Sequence, residues 1–170
     1  MKFTITTLAL ALALSAGAAD VKVTITDVHL CCDSCVKGVD KAVADVTGLT
    51  AKADKDADTV TLTGPDTATV QKGADALVAA GYFGKSSDPS VKINADTGAK
   101  NQKMQSLKIE GVHLCCGKCV KAVNAALATV PGVTGNTAAK GVKSFEVTGD
   151  FNDKDVFDAL KKEGLVGREK

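Results

Sequence analysis

Outside two seven-residue stretches, this chain of 170 residues has no cysteine. It has no tryptophan, one tyrosine and five phenylalanines. It also lacks an excess of either charge. The formal net charge is +1, and Lys and Asp are scattered through both halves as on a solvated surface. That excludes the basic footprint of a nucleic-acid binder or of a protein docked on an anionic membrane. Beyond the first twenty residues, no segment reaches the roughly 18 consecutive apolar residues of a membrane-spanning helix.

The N-terminus reads as a secretory signal peptide over residues 1–19. Met1-Lys2 supplies a short positive end, and Phe3 to Leu14 carries no charge. Ser15-Ala16-Gly17-Ala18-Ala19 offers small residues for cleavage after Ala18 or Ala19. The apolar run is short for a membrane anchor. With no cysteine at the cleavage region, lipoprotein anchoring is not indicated. Losing Lys2 with the signal takes the 21 basic residues to 20, against 20 acidic ones. The expected location is periplasmic or secreted, with no membrane association after cleavage. In such an oxidising compartment, disulfides are the plainest use of cysteine.

The cysteines themselves are patterned. His29-Leu30-Cys31-Cys32-Asp33-Ser34-Cys35 is followed 84 positions later by His113-Leu114-Cys115-Cys116-Gly117-Lys118-Cys119. Three thiols and an imidazole in seven residues build a poor core but a good soft-metal ligand set.

The repetition extends along both halves. Val23, Ile25 and Val28 align with Leu107, Ile109 and Val112. Val46-Thr47-Gly48-Leu49 matches Val130-Pro131-Gly132-Val133, and Ala80-Gly81-Tyr82-Phe83-Gly84 matches Glu163-Gly164-Leu165-Val166-Gly167. Within each copy the hydrophobic period changes in the same order. Val21, Val23 and Ile25 alternate as a half-buried strand. The cysteine heptad follows as a loop. Val36, Val39, Val43 and Val46 then form one helical stripe, matched by Val120, Val123, Leu127 and Val130. A weak strand around Leu49 to Ala53, a turn at Asp54 to Asp58 and a strand at Val60 and Leu62 come next. A second helix opens at Pro65-Asp66-Thr67, and Gly81 closes it before a short last strand. The order β-α-β-β-α-β, twice, predicts an α+β protein of two tandem ferredoxin-like units, each an antiparallel sheet with two helices on one face. The expected boundaries are 20–86 and 106–170. Residues 87–105 read as a linker in which Val91 and Ile93 could prolong the last strand. Alanine and valine dominate units of about 65 to 70 residues, so each core is modest.

Cys32 and Cys35 lie where a loop runs into a helix, and so do Cys116 and Cys119. Orphan N–H groups and the helix dipole favour the thiolate there, the species that binds metal. Two thiolates at this spacing suit Cu(I), Zn(II), Cd(II) or Hg(II). Cys31 and Cys115 each offer a third sulfur. Adjacent residues on an extended strand point to opposite sides, so ligation by both neighbours requires a loop. His29 and His113 are either further ligands, completing four for Zn(II), or strand-end histidines that merely touch solvent.

On these residues each copy resembles the heavy-metal-associated domain of copper chaperones, periplasmic mercury-binding proteins and metal-transporting ATPases. That family's motif is Gly-Met-x-Cys-x-x-Cys. The resemblance implies the same β-α-β-β-α-β fold and puts the metal ligands on Cys32 and Cys35, and on Cys116 and Cys119. It further implies a metal-transporting ATPase or another metal-accepting protein as partner. Gly-Met is replaced here by His29-Leu30 and His113-Leu114, and the residue before the first cysteine is itself cysteine. Both departures admit Zn(II) beside Cu(I). Tyr82 matches the aromatic that faces the site in many members, whereas the second copy has Leu165, so the two sites are expected to differ.

The expected function is non-enzymatic: a metallochaperone, scavenger or buffer with two CCxxC sites. One alternative is a thiol–disulfide oxidoreductase using Cys32 and Cys35, although no aromatic precedes the pair and no proline lies near Tyr82. The other is a disulfide-bonded adaptor module. Three cysteines per unit leave one unpaired in that case, unless a bridge joins the two units.

Overall fold

The computed structural model describes residues 19–170; apart from Ala19, the expected signal peptide lies outside the described residues. In the first half, β1 (Val21–Thr26), β2 (Thr50–Asp54), β3 (Thr59–Gly64) and β4 (Lys85–Ser86) form a sheet, with α1 (Asp33–Val43) and α2 (Thr67–Ala79) between them. The second half repeats this with β5 (Lys103–Glu110), α3 (Gly117–Ala128), β6 (Val133–Asn136), β7 (Ser144–Asn152), α4 (Asp153–Lys162) and β8 (Arg168–Glu169). The strand orders are β2-β3-β1-β4 and β6-β7-β5-β8. Every pairing in both sheets is antiparallel. The protein is thus α+β with two four-stranded sheets, consistent with two ferredoxin-like units.

The elements form where the side-chain periods change. Val23 and Ile25 alternate inward from β1, and Leu107 and Ile109 do so from β5. Asp66 caps α2 by accepting from the Thr69 N–H at 2.7 Å, and Asn152 caps α4 through the Lys154 N–H at 2.9 Å. On α1 the buried side chains are Cys35, Val39 and Val43. The helix ends at Val43, short of the expected stripe's Val46. Tight turns replace it there, with the Val46 N–H donating to the Val43 carbonyl at 3.0 Å before Gly48 takes φ +79°.

The segment between the units is fastened along its length, and β5 begins at Lys103 rather than 106. Val91 is buried and Ile93 packs on the core, neither within a strand. The Gln71 side chain donates to the Lys92 carbonyl at 2.8 Å and accepts from the Lys92 N–H at 2.7 Å. The Asp153 carboxylate, at 0% exposure, accepts from the N–H groups of Lys100 and Gln102 at 2.7 and 2.8 Å. A buried charge is tolerable only with such partners.

The halves meet along a short antiparallel seam. Tyr82 pairs with Leu165. The Phe83 N–H donates to the Gly164 carbonyl at 3.0 Å, and the Val166 N–H donates to the Gly81 carbonyl at 3.1 Å. One continuous core runs through it, including Leu30, Tyr82, Leu114 and Leu165. The seam demands glycine. Gly164 has φ +68°, and a Cβ there would stand 2.4 Å from the Asp27 carbonyl oxygen and 2.5 Å from the His29 nitrogen. Gly81 meets Gly111 and His113 in the same way.

Gly164→Ala should therefore destabilise the protein by about 1–3 kcal/mol, from strain and lost seam contacts. Gly111→Ala has a similar φ of +82° but nothing within 4 Å of its Cβ, so it should cost clearly less. Urea unfolding of both variants checks this; equal losses would mean that the seam is not tightly packed.

Candidate metal centre

The loop that leaves β1 sorts its side chains by alternation. Val28 and Leu30 enter the core at 1% exposure each, while His29 and Cys31 take the other side. Val112 and Leu114 do the same after β5. Leu30 and Leu114 thus plug the core directly beneath each thiol loop. Cys32 then adopts an extended backbone as the N-cap of α1, and Cys35 sits buried in the first helical turn. Cys116 and Cys119 hold the same places on α3. Because Cys31 and Cys32 lie in a loop and not in a strand, both face the same side.

The seam brings these two loops face to face, so the six cysteines form one cluster. Within the first loop, Cys35 Sγ lies 3.6 Å from Cys31 and 3.8 Å from Cys32. Within the second, Cys119 Sγ lies 3.6 Å from Cys115 and 3.8 Å from Cys116. Across the seam, Cys31 is 3.5 Å from Cys116 and 3.6 Å from Cys119, Cys32 is 3.7 Å from Cys116, and Cys35 is 3.5 Å from Cys115. All six are free thiols at near van der Waals contact, well beyond the roughly 2.05 Å of a disulfide. The adjacent cysteines, Cys31 and Cys115, lie inside the cluster with the CxxC sulfurs.

Packed sulfurs cannot all carry negative charge without a cation. Burial, and then the bond to Cys116, push the Cys31 thiol well above its ordinary range. Cys35 is held protonated by its hydrogen bond to Cys119 and by burial. Burial pushes Cys115 up to about 12. The charge the site does hold lies elsewhere. Cys119, accepting from Cys35, is lowered to about 2. At Cys32, desolvation is outweighed by the N–H groups of Cys35 and Ser34 and the Cys116 thiol, and its value falls to about 6. The α1 N-terminus acts there as the sequence implies.

The two histidines are not equivalent. The Tyr82 hydroxyl donates to the Cys35 carbonyl at 2.8 Å, so His113 Nε2, 3.0 Å from the same oxygen, donates to it. The rings stack at 4.5 Å between centroids. His113 therefore buttresses the loop through Tyr82, and burial lowers its pKa. The second copy has Leu165 in place of Tyr82, so His29 has no matching hydroxyl to bond. The His29 Nε2 is buried without a hydrogen-bond partner, and the ring lies within ligand range of Cys31 and Cys119.

An open cleft beside Cys31 and Cys32 leads to solvent, lined by Lys55, Lys118, Asp33, Asp56 and Asp58, with Lys55 paired to Asp33. Lys118 donates to the Cys31 carbonyl at 3.2 Å. Sequence reasoning singled out every thiol but missed their convergence and this mixed-charge cleft. A partial signal was available in the paired glycine loops at 81 and 164, whose offset of 83 is within one residue of the 84 that separates the cysteines.

No protein-family model matches the chain, and no curated protein does either. Among solved structures, the N-terminal soluble domains of Bacillus subtilis CopA are similar over 90% of this chain and 95% of that one. The sequence identity is 15% and the TM-score 0.34. At that level the likeness carries no weight for the site, which rests on the thiols themselves.

In the reduced, metal-free protein, a short pulse of iodoacetamide at pH 7 should label Cys32 first. It is half-exposed and largely thiolate at that pH, whereas Cys35 and Cys119 are buried and Cys31 is held protonated. Its labelling should fall as pH drops through about 6, where an ordinary thiol would already have lost reactivity near 9. Peptide mass mapping reads the sites; uniform labelling of all six would show that the helix N-terminus does not select Cys32.

Proposed function

We propose that this chain is a soft-metal-ion carrier of the heavy-metal-associated kind, built of two tandem βαββαβ units. It takes Cu(I)- or Zn(II)-class ions and acts as an exported metallochaperone, scavenger or buffer without catalysing a reaction. The observation that carries this reading is the meeting of six free thiols from two separate units at one place. A core would not gather its only cysteines so, and thiolates of this density select soft ions.

The remaining features suit ion exchange. The cleft beside Cys31 and Cys32 leaves sulfur reachable by a partner's ligands. A metal-transporting ATPase or another metal-accepting protein would attack there, exchanging one sulfur at a time. For Zn(II), His29 beside Cys31 and Cys119 offers the imidazole of a three-sulfur, one-nitrogen set. Each ion that binds displaces thiol protons, so affinity falls as pH is lowered.

Native mass spectrometry of the reduced protein, offered Cu(I) and Zn(II) in competition under anaerobic conditions, tests the reading. The wild-type chain should load soft ions, and a variant with all six cysteines changed to serine should load none. A reduced chain that stays metal-free yet reduces insulin disulfides would establish an oxidoreductase instead.

A further inference from the structure

Taken with the soft-metal reading on which it rests, the arrangement of the sulfurs specifies more than binding. Among the triangles of sulfur within ligand range are Cys31, Cys32 and Cys116; Cys32, Cys35 and Cys115; and Cys115, Cys116 and Cys119. A fourth is formed by Cys31, Cys35 and Cys119, with Cys31 3.6 Å from each of the others and Cys35 close enough to Cys119 to influence its charge. Each cysteine belongs to two of these triangles, and any two triangles share a single corner. The only pairs not joined by a triangle are Cys31 with Cys115, Cys32 with Cys119, and Cys35 with Cys116. Each of those pairs takes one residue from either unit. Six points connected in this way are the corners of an octahedron, and the four triangles are its alternate faces.

We infer that the two motifs form a single polynuclear site, in which Cu(I) ions occupy the alternate faces of a sulfur octahedron shared by both units. Six sulfurs, each bridging two ions, supply twelve ligand positions, and three per trigonal ion give about four ions. Thiolate bonds of about 2.3 Å, the length known for zinc, hold a triangle of sulfurs about 4 Å apart. The observed edges of 3.5–3.8 Å need open by only a few tenths of an ångström. Zinc fits less well. It wants four mutually adjacent ligands, and no four corners of an octahedron are mutually adjacent, so a zinc ion would have to leave the all-sulfur shell and recruit His29. The chemistry is ligand exchange without electron transfer. Sulfur–hydrogen bonds break, each sulfur binds two ions, and the protons leave to solvent. About four monovalent ions on six thiolates leave a net charge near −2. Lys118, which donates to the Cys31 carbonyl, is placed to offset part of it, while Lys55 is already paired with Asp33. The extra cysteines, Cys31 and Cys115, are thus required for bridging.

The test is anaerobic Cu(I) titration of the full-length reduced protein, read by native mass spectrometry and by copper X-ray absorption. The expected result is cooperative loading to about four ions, with one-to-three-ion forms scarce, and a copper–copper scattering shell. In the full chain, Cys115→Ser with Cys116→Ser and Cys119→Ser should abolish the multi-ion species, not halve it. Circular dichroism of the metal-free variant shows whether it folds, and the copper–copper shell of the wild type needs no variant at all. Two ions without that shell, halved by the triple substitution, would overturn the shared cluster while leaving the soft-metal reading intact. A wild-type chain that binds neither Cu(I) nor Zn(II) would overturn both. Preference for a single Zn(II) under competition would reject the copper cluster and favour a site centred on His29.

Discussion

The antiparallel pairing of Tyr82 with Leu165 is the constraint on which the site depends. A small βαββαβ unit places its thiol loop at one end, exposed to water. Two such loops on a flexible tether would be separate sites. Here the residues after α2 and α4 exchange hydrogen bonds across the halves, and the core closes over them. That fixes the separation of the loops to within a sulfur's diameter. Gly81 and Gly164 are where the backbones come too close for any side chain.

The same closeness sets the electrostatics. Sulfurs in contact share protons in preference to shedding them, so Cys31, Cys35 and Cys115 are held neutral while Cys32 and Cys119 carry what charge there is. The α1 N-terminus lowers the cost at its cap, Cys32, but cannot serve every sulfur. What relieves the crowding is a cation among them. Strain of this kind, local and chemically specific, is a usual mark of function.

Most of the fold was legible because period and punctuation agree at every element. Valines at strand spacing, then at helical spacing, then glycine, recur in both copies with little drift. The expected signal peptide, apart from Ala19, lies outside the described residues, and the compartment belongs to the proposal. Among the site residues, each thiol was legible, and Tyr82 was expected near the first loop. The meeting of the loops was not. It depends on Tyr82, Leu165 and their flanking glycines, which in one dimension read only as the end of a helix. The histidines could not be separated either. They occupy matching positions, and the Tyr82 hydroxyl that His113 meets across the seam has no counterpart at Leu165. The segment 87–105 reads as a linker by its polar composition. That Gln71 and Asp153 hold its backbone is something composition does not report.

Because both thiol loops belong to one chain, their meeting is indifferent to dilution. Two separate molecules sharing such a site would part as their concentration fell. Partners joined within one polypeptide keep an effective concentration in the millimolar range or higher wherever they are. The segment pinned along α2 and α4 sharpens this by removing the freedom a loose tether would keep. Duplication within the chain therefore does what self-association does elsewhere, and it does so for a lone molecule.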